Sequence, residues 1–282
     1  MSRNAEGALS DKVCLVTGAT AGLGRATAQE LARQGARVVL TARDRARGEA
    51  ARDAIRRATG NEAVEVLEVD LSSPASVRGA AQRFLERHDR LHALIADAAV
   101  FAGARRVTVE GFELMLATNY LGPFLLTNLL LETLRASAPA RILIVTVPAY
   151  GLQLDFDDLQ SARSFQPSRA FFVSKLCDLL FAGELGRRLE GTGVTANGYY
   201  PGLMRTGLMR EGSAAQRLML GVMGAAPRSA ARKLVDALTS PKVAHLNGAL
   251  LKGDAQHETS PYVRNSRIQR QLWDATLPLV GL

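Results

Sequence analysis

Short, uninterrupted apolar runs rich in β-branched residues alternate with amphipathic stretches along this chain, and that alternation restricts its fold more than any other feature. The runs are Val13–Thr17, Arg37–Thr41, Val64–Val69, Leu91–Ala96, Arg141–Val145 and Val194–Tyr199, with a weaker one at Ala249–Lys252. Between them lie Ala26–Gln34, Ala46–Ala58, Ala75–His88 and Phe112–Ala136, each with helical apolar spacing. Strands apolar throughout are buried on both faces, which calls for a parallel sheet between two helix layers. Right-handed crossovers then give a Rossmann-type, doubly wound α/β fold of about seven parallel strands. No repeat or low-complexity linker interrupts the 282 residues, so one domain is expected over residues 1–282.

One stretch departs from this rhythm. Residues 203–227 carry Met204, Met209, Met219 and Met223 among glycines, with no clear strand. They read either as surface helices packed on the core or as a lid whose flexible thioethers suit a bulky apolar ligand.

The net charge of +8 is largely arginine, because only Lys12, Lys175, Lys233, Lys242 and Lys252 are lysine. The arginines are interspersed with acids, as in Arg43-Asp44-Arg45, and form no basic block with aromatic interleaving. Nucleic acid is therefore not an expected partner. Cys14 and Cys177 sit inside apolar segments, as reduced core residues do. The opening MSRNAEGALSDK lacks the apolar run of a signal peptide, and no apolar stretch reaches roughly 18 residues, so a cytoplasmic protein without a membrane partner is expected. His88, His92, His245 and His257 show no metal-site spacing and are expected at the surface, with no metal ligand set. The Asp155–Asp158 cluster reads as a turn cap rather than a catalytic carboxylate pair.

After the first run comes Gly18-Ala19-Thr20-Ala21-Gly22-Leu23-Gly24, followed at once by a helical stretch. Glycines there let the backbone turn tightly and let a pyrophosphate approach the free N–H groups of the helix. The second strand ends in Arg43, where an acid would hold the 2′-hydroxyl of NAD and repel a 2′-phosphate. A guanidinium suits phosphate, so NADPH (NADP+) is the expected cofactor. Asp44 reads as the N-cap of the next helix.

The spacing TGxxxGxG resembles the short-chain dehydrogenase/reductase family, and the resemblance extends over nearly the whole chain. Asp70-Leu71 is similar to the family's adenine-contacting pair, and Asp97-Ala98 falls in its NNAG segment, here Ala96-Asp97-Ala98-Ala99. Asn119 falls where the family keeps a catalytic asparagine, and Ser174-Lys175 resembles the end of its YxxSK signature. Tyr200-Pro201-Gly202-Leu203, with Thr206, resembles the loop over the nicotinamide carboxamide. The tail Leu272-Trp273-Asp274 is similar to the branch of retinol dehydrogenases and protochlorophyllide reductases. The resemblance implies a nicotinamide-dependent oxidoreductase, with a homo-oligomer built from two long helices.

It also exposes a loss. The family's tyrosine acid lies four residues before the lysine, whose charge lowers the phenol pKa from about 10. Counting back from Lys175 gives Phe171, and no tyrosine lies between Tyr150 and Tyr199. The family's serine falls on Val147; Thr146 is adjacent, but strand alternation points it the other way. General acid catalysis supplies roughly 10²–10⁴-fold, a serious loss but not a total one.

Three readings follow. In the first, the chain is an NADPH-dependent ketoreductase in antibiotic biosynthesis. Its substrate is a bulky polycyclic ketone, an aromatic polyketide of the angucyclinone kind, whose neighbouring phenol supplies the proton. Val147, Phe171, Tyr200, Met204 and Met209 would face that substrate. In the second, Tyr150 replaces the missing acid, with Tyr200 behind it, beside Asn119 and Lys175. In the third, the chain is an inactive NADP(H)-binding scaffold or redox sensor, its lid ordered by the nucleotide.

Overall fold

The computed structural model describes residues 7–204 and 225–282. Eight strands form one sheet in the order β3-β2-β1-β4-β5-β6-β7-β8. They are β1 (Val13–Val16), β2 (Arg37–Ala42), β3 (Val64–Glu68), β4 (Ala93–Ala96), β5 (Ala140–Val145), β6 (Val194–Tyr199), β7 (Leu250–Lys252) and β8 (Ala255–His257). The first seven run parallel, as expected. The eighth was not foreseen: β8 pairs antiparallel with β7, Leu250 opposite His257. Gly253, at φ +61°, turns the chain there. A two-residue Gly-Asp loop is a hairpin signal, but β8 has no apolar run to mark it.

Helices cover both faces. On one lie α1 (Gly22–Arg33), α2 (Arg45–Thr59) and α8 (Pro227–Thr239), closing a core of Val16, Leu31, Val38, Leu40, Ile55 and Leu234. On the other lie α3 (Pro74–Leu85), α5 (Gly122–Leu129), α7 (Pro167–Arg188) and α10 (Ser266–Val280), around Leu15, Phe84, Leu94, Phe124, Ile142 and Leu180. The stretch expected as one helix over Phe112–Ala136 is instead α4 (Leu114–Leu116), a π-helical turn (Ala117–Leu121), α5 and α6 (Leu131–Ala136). Gly122 explains part of the geometry: a Cβ there would lie 2.1 Å from the Leu71 carbonyl oxygen. The helix and the loop after β3 can touch only because that side chain is absent.

α9 (Pro261–Arg264) leads into α10, which lies along α7. Trp273 meets Phe124 at 4.9 Å and Phe181 at 5.8 Å between ring centroids, with the Arg188 guanidinium 4.3 Å from its own. Tyr120 and Thr276 share a 2.7 Å hydrogen bond between buried hydroxyls. The resemblance would build an oligomer from the helices around α5 and α7. Their outward apolar faces are covered by α10 of the same chain.

Two histidines also depart from the surface positions expected of them. His88 is buried against Phe84 and 3.3 Å from Glu65, and His92 Nδ1 accepts the Val13 N–H. Leu203 and Met204 are described, and Met204 bridges to Ala225; most of the expected lid, with Thr206, Met209, Met219 and Met223, lies outside the described residues. No described helix is long and apolar enough to cross a membrane.

Removing the Trp273 ring empties a site lined by aromatic rings. Trp273→Ala should lower unfolding free energy by about 3–5 kcal/mol, read from chemical denaturation.

Candidate functional site

The sheet order reverses between β1 and β4, and the carboxyl ends of those two strands form the switch point at which open α/β sheets bind ligands in a crevice. Thr17 ties the two together: its buried hydroxyl accepts the N–H groups of Asp97 and Ala98, each at 3.0 Å. Gly18, at φ +67°, then passes so close that a Cβ on it would sit 2.7 Å from the Ala98 Cα. Only glycine meets both demands.

The chain turns through Thr20 and Ala21 into α1, which has no side-chain cap and no acid in its first turn. The first intrahelical bond runs from Arg25 N–H to the Ala21 carbonyl. The N–H groups of Gly22 and Leu23 have no acceptor among the described residues, and that of Gly24 faces the Asp97 carboxylate. An uncapped helix start reached through a glycine turn provides the donors and the dipole that a pyrophosphate needs. The fit extends to the adenosine side. Arg43 is exposed beyond β2, without an ion pair among the described residues, and Asp44 caps α2 by accepting the Arg47 N–H at 2.8 Å. Asp70 is half-buried and accepts both the N–H and the hydroxyl of Ser72, and Leu71 is buried beside it.

At the other end of the crevice, Asn119 lies in the π-helical turn, a feature often found at functional sites. Its amide is fully engaged. Oδ1 accepts the Val100 N–H at 2.7 Å, and Nδ2 donates to the Val100 carbonyl and the Ser174 hydroxyl. The Ser174 hydroxyl donates in turn to the Phe171 carbonyl. Asn119 therefore locks the β4 loop, the π turn and α7 together, with no hydrogen bond to Lys175 among the described residues.

Lys175 is buried, and its ammonium donates to the Val145 carbonyl and to Asp178 Oδ2, both at 2.9 Å. Two of its three donors are thus engaged, and the third has no acceptor among the described residues. The sequence reading missed Asp178, although Lys and Asp three apart on a helix is a visible pairing signal. Burial pushes its carboxyl up to about 6 against the pull of Lys175, and its Oδ1 has no hydrogen-bond partner among the described residues. Asp97 is pushed up further, to about 7. Burial is the largest cause, opposed by Lys175 and by the Gly24 N–H.

The position four residues before Lys175 is filled by Phe171. Its ring is buried in a small apolar cluster with Phe101, Ala102 and Met115, 5.9 Å from Phe101 between centroids, rather than lining an open surface. Val147 is half-buried after β5, and the Thr146 hydroxyl donates to the Lys175 carbonyl, turned away as alternation requires. The tyrosines were ranked differently by sequence. Tyr150 is exposed, and its hydroxyl donates to the Glu258 carbonyl at 3.0 Å. The hydroxyls of Tyr120, Tyr199 and Tyr262 bond to Thr276, Gly253 and Leu154 respectively. Tyr200 is the one tyrosine whose hydroxyl has no partner among the described residues. Its ring lies 5.6 Å from that of His257 and 5.4 Å from the Lys252 ammonium. Pro201 and Gly202, the latter at φ +84°, carry the chain on to an exposed Leu203. Met204, expected to face substrate, packs instead against the core on the α1 side of the sheet. The acid cluster caps its own turn, with Asp158 accepting the Ala162 and Arg163 N–H groups.

A switch-point crevice with a glycine turn at one end and a helical lysine at the other defines a nicotinamide dinucleotide-dependent oxidoreductase. The sequence pattern of the short chain dehydrogenase family matches residues 12–156. Human (Homo sapiens) retinol dehydrogenase 14 is 38% identical over 296 residues, covering 98% of this chain and 88% of that one. A crystal structure of an uncharacterized protein from Mycobacterium Paratuberculosis superposes with a TM-score of 0.78 at 30% identity, over 96% of this chain and 94% of the other. The active-site complex of Pseudomonas aeruginosa RhlG with NADP superposes at 0.70, with 25% identity, over 90% and 97%. The chain belongs to the short-chain dehydrogenase family.

Asn119→Ala orphans the partly buried Val100 N–H and removes a donor from Ser174. Urea unfolding should show a loss of at least about 1–3 kcal/mol, the usual cost of an unsatisfied buried group.

Proposed function

We propose that the chain is an NADPH-dependent ketoreductase whose substrate is a bulky polycyclic ketone with a phenol beside the reacting carbonyl, as in angucyclinone-type aromatic polyketides. The observation that carries this reading is Phe171, buried beside Phe101 and Met115 where a phenolic acid would have to stand. When bound, the dinucleotide supplies the hydride. The N–H groups of Gly22 and Leu23 hold its pyrophosphate, Arg43 its 2′-phosphate, and the free donor of Lys175 its nicotinamide ribose. Asn119 fixes the backbone around the reaction centre without touching the reacting atoms.

Hydride arriving at the carbonyl carbon leaves an alkoxide. The neighbouring phenol of the substrate, hydrogen-bonded to that oxygen in a six-membered ring, transfers its proton, and water later reprotonates the phenolate.

The 38% identity to retinol dehydrogenases supports a second reading, in which the substrate is a long apolar retinoid without a phenol. Absorbance of NADPH separates the two. A peri-hydroxylated tetracyclic ketone should be reduced, and its O-methyl ether should react roughly 10²–10⁴-fold more slowly, the usual worth of a positioned acid. Equal rates for the pair, or rapid reduction of retinal, would overturn the phenol-assisted reading; binding of NADPH with oxidation by none of these would favour a scaffold. Tyr150→Phe and Tyr200→Phe should both retain turnover, and loss in either would identify a side-chain acid.

Cofactor choice is tested separately. Arg43→Ala should weaken NADPH binding by about 10–100-fold, the worth of charge-assisted hydrogen bonds, and leave NADH binding nearly unchanged in a fluorescence titration.

A further inference from the structure

We propose that Asp97 takes up a proton from solvent when the dinucleotide binds, so that this one carboxyl links cofactor affinity to pH. The inference rests on the dinucleotide reading above and concerns a residue that reading leaves without a role. Its basis is placement. Asp97 follows β4, its backbone N–H is fixed by the Thr17 hydroxyl, and its carboxylate faces the Gly24 N–H in the first turn of α1. The contact is close, because a Cβ on Gly24 would lie 2.7 Å from Asp97 Oδ2 and 2.7 Å from the Gly18 carbonyl oxygen. The adjacent N–H groups of Gly22 and Leu23 are those a pyrophosphate would accept from. Two anions would then share one helix start, and a carboxylate beside a bound phosphate is repelled unless it is protonated.

The surrounding charges do not relieve this conflict. Among the described residues, Lys175 on α7 is the charged group acting on Asp97, and its ammonium is already bonded to Asp178 and the Val145 carbonyl. α1 contributes the Gly24 N–H, and β1 and its turn contribute only the neutral Thr17. Burial has already raised the Asp97 carboxyl to about 7 without any ligand, so neutralising it needs little further bias. The sign follows directly. The bound state holds the proton and the free state releases it above about pH 7, so affinity falls as pH rises, approaching about tenfold per pH unit. Asparagine imitates the protonated form: it is neutral, and it keeps an oxygen that can face the Gly24 N–H.

The test uses NADH as well as NADPH, because NADH lacks the 2′-phosphate, whose own titration would otherwise overlap. Dissociation constants are measured by fluorescence from pH 6 to 9 for the unmodified protein and Asp97→Asn. Affinity of the unmodified protein should drop about tenfold or more between pH 7 and 9 for both nucleotides, whereas Asp97→Asn should be nearly flat with NADH. Calorimetry at pH 8 in buffers of differing ionisation enthalpy should show uptake approaching one proton per NADH bound by the unmodified protein. That measurement stands even if the variant fails to fold. Equal pH slopes in the two proteins, or no proton uptake, would overturn the inference. Absence of binding by either nucleotide at pH 6 would instead overturn the dinucleotide reading itself.

Discussion

The hydroxyl of Thr17 accepts two backbone N–H groups from the loop after β4, and the geometry of the crevice depends on that grip. β1 and β4 are neighbours in the sheet, but their chains diverge at the switch point, and nothing in the sheet ladder dictates how far apart they open. Thr17 sets that separation. It brings Ala98 against Gly18 and Asp97 against the start of α1, so the turn and the loop beyond β4 become one unit. A fixed pair of loops offers preorganised donors, which lose little freedom when an anion arrives.

The far end of the crevice is held differently, by side chains that reach across elements. Asn119 joins the β4 loop to α7 through Ser174, and Thr146 joins β5 to α7 through the Lys175 carbonyl. Lys175 itself is drawn down by Asp178. A buried lysine with a buried carboxylate partner keeps its position but presents little net charge. Where a neighbouring phenol would need an unbalanced ammonium to acidify it, this chain has a phenyl ring and a balanced one.

The layered architecture, the glycine turn, the N-cap at Asp44 and the reversed direction of Thr146 were all legible in the sequence, because each follows from local spacing or backbone chemistry. Other features were not. The break of the long helix into a π turn depends on Asn119 finding partners on two other elements, and no local pattern records it. The burial of Phe171 depends on Phe101 and Met115 arriving from a distant loop. Tyr150 appeared the better acid because it follows β5 closely, yet its hydroxyl is taken by a carbonyl more than a hundred residues away. Asp178 is different: its i, i+3 spacing from Lys175 is local and visible, but only the fold shows that both side chains are buried.

The apolar sides of α5 and α7 are closed by α10, which packs Trp273 between their phenylalanines. In synthesis from the amino end, every strand and both of these helices leave the ribosome before their cover does. For that interval the nascent sheet carries an aromatic strip with nothing over it, the kind of surface that invites aggregation or a chaperone. A fold that draws its cover from a late helix is at its most adhesive when half made.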